Sequence, residues 1–131
     1  MTATSTRTDS ATGLRRVAAL GTAVSAVVHG YLFLDGWSAV TVTGPLFALN
    51  AVAGVVIAVA LIASAHWAWR FLAVGFNALS LAALALSHTP RGFFGLRESY
   101  WDIWQVMALV SESVGLFAAA LALLAWWRGR R

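Results

Sequence analysis

Cysteine and lysine are absent from this chain, and only 11% of its 131 residues are charged. Without cysteine the protein cannot form disulfides, thiolate metal sites, iron–sulfur clusters or a thiol redox centre. Soluble domains carry about a quarter charged residues, whereas this chain is 60% hydrophobic. Because a single small domain has too little interior to bury that much apolar surface in water, the composition predicts a membrane protein.

Acidic residues are also few, so the formal net charge is +4. All nine basic residues are arginines, and they lie at predicted helix ends, where membrane orientation explains them better than nucleic-acid binding does. We therefore expect the lipid bilayer as partner, together with either further copies of the chain or a larger membrane complex, and no nucleic acid.

Four apolar stretches each approach the roughly 20 residues that a helix needs to cross about 30 Å of hydrocarbon. We place the spans at about 14–34, 44–64, 71–87 and 101–127. The predicted fold class is all-α, a four-transmembrane-helix bundle in up-down-up-down order. The membrane domain then covers 14–127, followed by a basic cytoplasmic end at 128–131. It is preceded by a polar cytoplasmic tail at 1–13 that we expect to be disordered.

Arginine is distributed unequally between the two sides of such a bundle. One side holds most of them: Arg7, Arg15, Arg16, Arg70, Arg128, Arg130 and Arg131. The other side holds only Arg91 and Arg97. Since cytoplasmic loops carry the excess of basic residues, we expect both termini in the cytoplasm and a multi-pass location in the cell (plasma) membrane.

Glu112 is the one acidic residue well inside a predicted span. An ionisable side chain at this depth is costly, so it usually faces the interior of the bundle. Two interpretations stay open, a proton carrier or ligand-binding acid, and a protonated glutamate that is hydrogen-bonded to a neighbouring helix.

Further polar residues approach Glu112 along the fourth span. Glu98, Asp102 and Gln105 precede it at spacings that keep all four within roughly 80° of one helix face. This stripe either lines an outward-facing, water-filled cavity or has its first two carboxylates in the headgroup region, with only Gln105 and Glu112 buried.

The other spans contribute three polar side chains in the outer half or at the middle of the membrane. His29 is either a relay or ligand residue or a hydrogen-bonded core residue with Glu112 or Gln105 as partner. Asn50 and Asn77 are either helix–helix hydrogen-bonding groups or ligand contacts. The candidate polar pocket opens outward and consists of Glu112, His29, Gln105, Asn50, Asn77 and Asp102.

No cofactor or metal site is expected. A bis-histidine haem needs two facing histidines at one depth, but His88 falls in a predicted loop and His66 at the opposite surface. No metal-ligand spacing links His29 to the acidic residues.

The longest loop precedes the fourth span and contains Arg97 and Glu98. Ser99 is the expected N-cap of the fourth helix, with Asp102 three residues later as its acidic partner. A lid over the polar pocket, with Phe93 and Phe94 dipping into the membrane interface, is the functional alternative.

Small residues recur four apart in three spans, a spacing that lets helices approach closely in lipid. The pairs are Gly21 and Ser25, Gly54 and Ala58, and Gly115 and Ala119. We interpret them as ordinary helix-packing faces.

The strings VHGYLFL, GPLFALNAVAGVVIAVAL, VGFNAL and FFGLRE resemble a group of small actinobacterial four-helix membrane proteins of unassigned function. The resemblance covers most of the chain after residue 13. It implies the four-span architecture and carries no activity.

No residue pattern in the chain matches a catalytic set, which favours a non-catalytic protein, and no catalytic residue is named. The leading hypothesis is an accessory subunit or binding module with an outward-facing polar pocket. Two alternatives stay open, a dimeric proton-linked transporter of small molecules that uses Glu112, and a membrane enzyme acting on a lipid or prenyl substrate.

Overall fold

The computed structural model describes the backbone of residues 2–131 and the side chains of residues 10–131. The described chain is all-α. Its helices are α1 (Thr2–Leu34), α2 (Thr43–Ala63), α3 (Trp67–Ser87) and α4 (Ile103–Arg128), with a short 3₁₀ helix at Trp37–Ala39. Each of the four long helices has a stretch long and apolar enough to cross a membrane, which in α1 is Ser10–Leu34.

The helix ends agree with the predicted spans within two residues for α2 and α4. The first helix begins at Thr2, well before the predicted start at Leu14. The segment predicted to be disordered is thus helical, with Met1 outside the described residues. Once the apolar span has formed a helix, extending it by another turn adds a hydrogen bond for each residue that is fixed.

The turn between α2 and α3 is shorter than predicted. Trp67, Trp69 and Arg70 were expected in this turn, but they form the first turn of α3. His66 makes the early start possible, because its ring nitrogen Nδ1 accepts a hydrogen bond from the backbone N–H of Ala68 at 3.2 Å. Aromatic and arginine side chains suit a membrane interface whether the backbone is helical or not.

The first helix lies between α2 and α4, and α3 packs mainly against α4. The α2–α3 pair makes the least contact among neighbouring long helices. Arg15, early in α1, donates from Nη1 to the backbone oxygen of Ser64 just after α2, at 2.9 Å. Arg70 donates from Nη1 to the backbone oxygen of Ala65 at 2.7 Å. These two bonds stabilise the turn by supplying donors to carbonyls at a helix C-terminus.

Small side chains fill the interior, and large apolar ones cover the outside. The buried cluster is mostly alanine, with Leu61 and Ile57 its largest members. Exposed side chains include Leu20, Val27, Val59 and Phe117. Soluble proteins usually have the opposite arrangement, whereas small residues between helices are typical of membrane bundles.

The closest helix approach joins α1 to α4 at Gly21 and Gly115. A methyl group built on Gly21 would lie 2.6 Å from the backbone nitrogen of Gly115 and 2.6 Å from the backbone oxygen of Ser111. Backbone atoms cannot swing aside as flexible side chains do. The predicted small-residue face on α1 is therefore where these two helices meet.

We expect Gly21→Ala to destabilise the bundle by about 1–3 kcal/mol, because overpacking forces the two backbones apart. The matched control is Gly75→Ala in α3, where an added methyl group meets nothing within 4 Å. The control should be neutral or slightly stabilising, since alanine favours helix more than glycine does. Thermal unfolding of both variants in the same detergent measures the difference, and equal midpoints would contradict the close approach.

Candidate polar cavity

A cavity of about 420 Å³ lies between the helices, at the end that carries the α3–α4 loop. All four helices, the 3₁₀ helix and that loop contribute walls. Most of the lining is apolar: Leu32, Trp37, Leu46, Phe47, Leu49, Ala53, Phe76, Leu79, Ala83, Leu84, Phe93, Leu96, Trp104 and Ala108. The cavity occupies the space that α2 and α3 leave by packing weakly against each other.

Polar side chains enter this apolar space from all four helices. Five of the six residues predicted for the polar pocket line the cavity: His29, Asn50, Asp102, Gln105 and Glu112. Along α4, Glu112 is the lining residue farthest from the α3–α4 loop, as Ala53 is in α2 and Phe76 in α3. These three residues therefore form the floor.

Glu112 is held on the floor by α1. Its side chain is 1% exposed, and Oε1 accepts a hydrogen bond of 2.8 Å from the Ser25 hydroxyl. The Nε2 atom of His29 lies 3.9 Å from the same Oε1, too far for a hydrogen bond. Ser25 and His29 are one turn apart on α1, so a single helix face supplies both neighbours of the carboxyl group.

The His29 ring is oriented by the backbone of its own helix. Its Nδ1 atom lies 2.9 Å from the backbone oxygen of Ser25, and a carbonyl oxygen can only accept, so Nδ1 carries the proton in this contact. In the neutral ring Nε2 is then an acceptor facing Glu112. The edge of the ring also contacts Phe47 of α2, with centroids 5.1 Å apart.

Four lining side chains have a buried oxygen with no hydrogen-bond partner among the described residues. These atoms are Oγ1 of Thr43, Oδ1 of Asn50, Oε1 of Gln105 and Oε2 of Glu112. All four can accept, and a buried acceptor without a donor is costly. The cavity is therefore apolar, with acceptor atoms in several of its polar lining residues.

Asn50 also connects the two weakly packed helices. Its Nδ2 donates to the Ser80 hydroxyl in α3 at 2.7 Å, across the cavity wall. A side-chain bond of this kind is typical of helix association in membranes.

Asn77 lies outside the cavity lining, unlike the other predicted pocket residues. It is fully buried, and its Nδ2 donates to the Thr22 hydroxyl at 3.0 Å and to the backbone oxygen of Ala73 at 2.8 Å. A methyl group on Gly115 would meet its amide. Asn77 therefore links α3 to α1 beside the floor of the cavity, where α1 and α4 come too close together to leave space.

Asp102, not Ser99, is the N-cap of α4. Its carboxylate accepts a hydrogen bond of 2.8 Å from the backbone N–H of Gln105. Glu98 consequently lies in the loop and not on α4. In the loop its backbone N–H donates to the backbone oxygen of Ser87 at 2.9 Å. Glu98 still lines the cavity, whereas Arg97 lies beside a separate shallow depression near the 3₁₀ helix.

A tight turn in the α3–α4 loop covers the outer part of the cavity. Phe93 and Leu96 exchange two backbone hydrogen bonds, of 2.8 and 2.9 Å, and the two residues between them, Phe94 and Gly95, have φ angles of 47° and 84°. Two successive positive φ angles are typical of a type I′ hairpin turn. Phe93 and Leu96 line the cavity, while the Phe94 side chain is exposed.

The remaining histidines do not join His29. His88 ends α3 and stacks on Trp101 with centroids 4.1 Å apart, and His66 caps the other end of the same helix. Among the residues with described side chains, no group of three or more histidine and acidic residues is arranged to hold a metal ion.

Some lining residues were missed at the sequence level. Ser80 and Thr43 line the cavity, yet single hydroxyls in helices give no signal, because they bond equally well to their own backbone. Phe47 precedes Asn50 by three residues and so shares its helix face, which is a signal that could have been used.

The chain matches no protein-family model, no curated protein and no solved structure.

The Ser25–Glu112 hydrogen bond should be measurable as a coupling between α1 and α4. In a double-mutant cycle of Ser25→Ala and Glu112→Gln, we expect the two changes to be coupled by about 0.6–1.7 kcal/mol, the range seen for hydrogen bonds in membrane bundles. Unfolding in mixed micelles measures each corner of the cycle. Ser113→Ala combined with Glu112→Gln is the control and should be additive, and an equal coupling there would show that the effect is not specific to Ser25.

Proposed function

We propose that this chain is a non-catalytic binding protein of the membrane, which holds a small amphiphilic molecule in the cavity between its helices. The observation that carries the proposal is the cavity itself, about 420 Å³ of mostly apolar space with Glu112 at its floor. Ligand sites are typically concave, about 300–1,000 Å³ in volume and apolar, with a few convergent polar groups. A molecule with an apolar body and one polar end suits this lining.

Close packing beyond the floor supports a binding site over a path through the membrane. Ala19, Leu61, Ala73 and Ala119 are buried there with 0–2% exposure, each one or two helical turns past the floor. A channel needs polar lining on both sides of the membrane. The cavity thus favours a molecule that enters and leaves without passing through the whole bundle.

The proposal includes an orientation. Four antiparallel spans in up-down-up-down order would leave Arg15, Arg70 and Arg128 at one end, opposite the cavity. Arg130 lies over the Trp126 ring at 4.9 Å from its centroid, at that same end. Because basic residues and aromatic belts mark the cytoplasmic interface, we infer that both termini are cytoplasmic in the cell membrane and that the cavity faces outward.

Filling the cavity tests the proposal. Ala83 lines the cavity, and its neighbour Ala82 is exposed on the outer face of α3. We expect Ala83→Phe to abolish binding, because the ring takes up the space that a ligand needs, while Ala82→Phe binds as the unchanged protein does.

Native mass spectrometry of the full chain in lipid nanodiscs, with an equimolar mixture of dodecylamine, dodecyltrimethylammonium, dodecanol and laurate, measures the bound probe. Loss of the bound mass in Ala83→Phe alone supports the proposal. An equal amount of bound probe in all three proteins, or none in any, would overturn it.

A further inference from the structure

Two residues of the cavity wall are also exposed on the outside of the bundle. Leu49 of α2 and Leu79 of α3 both line it, yet they are 62% and 74% exposed. In a membrane these residues face lipid, at the seam where α2 and α3 pack most weakly. A molecule dissolved in the bilayer can therefore reach the cavity between these two helices without crossing water.

Several polar lining residues have an acceptor atom without a donor. Asn50, Gln105 and Glu112 line the cavity and each has a buried, unpartnered oxygen, and Nε2 of His29 is a further acceptor when its Nδ1 proton is held by Ser25. Such a set recognises a ligand that brings several hydrogen-bond donors. A primary ammonium group has three N–H donors and no acceptor, whereas a hydroxyl group has a single donor.

Apart from His29, the ionisable side chains that line the cavity are carboxylic acids. Glu98, Asp102 and Glu112 line it from mouth to floor, and no arginine with a described side chain does so. Arg97, which directly precedes the lining residue Glu98, lines the neighbouring shallow depression instead. A cleft that carries charge of one sign within apolar walls concentrates ligands of the opposite sign.

We propose that the ligand is an amphiphilic organic amine, bound with its ammonium group near Asn50 and Glu112 and its apolar chain towards the α2–α3 seam. This inference rests on the proposed binding function and adds the chemical class of the ligand. The aromatic side chains of Phe47 and Trp104 also line the cavity, and an aromatic ring favours a neighbouring cation.

Four dodecyl probes with different head groups test the class. Dodecylamine is a cation with donors, dodecyltrimethylammonium a cation without them, dodecanol a neutral donor and laurate an anion. In nanodiscs of zwitterionic lipid, we expect dodecylamine to bind about tenfold tighter than dodecanol, because charge-assisted hydrogen bonds are roughly twice as strong as neutral ones. Dodecyltrimethylammonium should fall between these two, and laurate should bind weakest.

Charge-neutral variants assign the effect to the lining carboxyl groups. Glu112→Gln should weaken dodecylamine binding about tenfold and change dodecanol binding less than about twofold, since only the charge-assisted bond is lost. Asp102→Asn should weaken dodecylamine binding a few-fold and keep the helix cap, because asparagine caps as well as aspartate. Asp35→Asn is the control, a carboxyl group outside the cavity lining, and should bind all four probes as the unchanged protein does.

The possible outcomes separate the two proposals. Dodecanol or laurate binding as tightly as dodecylamine, and lost in Ala83→Phe, would overturn the amine and leave the binding function standing. Binding of no probe at all would overturn both. If Glu112→Gln does not fold, dodecylamine binding is measured on Asp102→Asn and Glu98→Gln instead. Unchanged dodecylamine binding in both variants would overturn the assignment to the carboxyl groups.

Discussion

The close approach of α1 and α4 at Gly21 and Gly115 is the contact on which the rest of the bundle depends. With glycine on both sides the two backbones come near enough for the Ser25 hydroxyl to reach Glu112, at 2.8 Å. A carboxyl group in a membrane interior needs such a donor, because water is not there to solvate it. The same approach of α1 and α4 leaves the Asn77 side chain of α3 packed against Gly115. This contact fixes the position of α3 on the pair of helices.

The cavity follows from what this tight pair leaves unfilled. The first helix packs on both α2 and α4, and α3 packs mainly on α4, so α2 and α3 lie at the two edges of the arrangement. Small residues fill the narrow space beyond the floor, whereas the halves of α2 and α3 nearest the α3–α4 loop enclose the cavity, with alanines such as Ala53 and Ala83 in its wall. The hydrogen bond from Asn50 to Ser80 limits how far these two helices separate.

The sequence predicts the number of helices and most of their ends, since an apolar run of about 20 residues is a strong signal. It failed at the start of α3, because Trp67, Trp69 and Arg70 suit an interface in either a turn or a helix. Polar residues in apolar spans are equally visible, and this is why His29 and Glu112 stood out. Whether such a residue faces a cavity or a neighbouring helix depends on helix spacing, so Asn77 could not be distinguished from Asn50 without coordinates.

The two oxygens of the Glu112 carboxyl group have different surroundings. On the side towards α1, the small residues allow a short hydrogen bond from Ser25 to Oε1. The other oxygen, Oε2, is buried without a partner among the described residues. The missing hydrogen bond to Oε2 lowers the stability of the bundle. A ligand that donates a hydrogen bond to Oε2 binds the folded state and therefore raises its stability. The packing that secures one carboxyl oxygen thus leaves the other available for recognition.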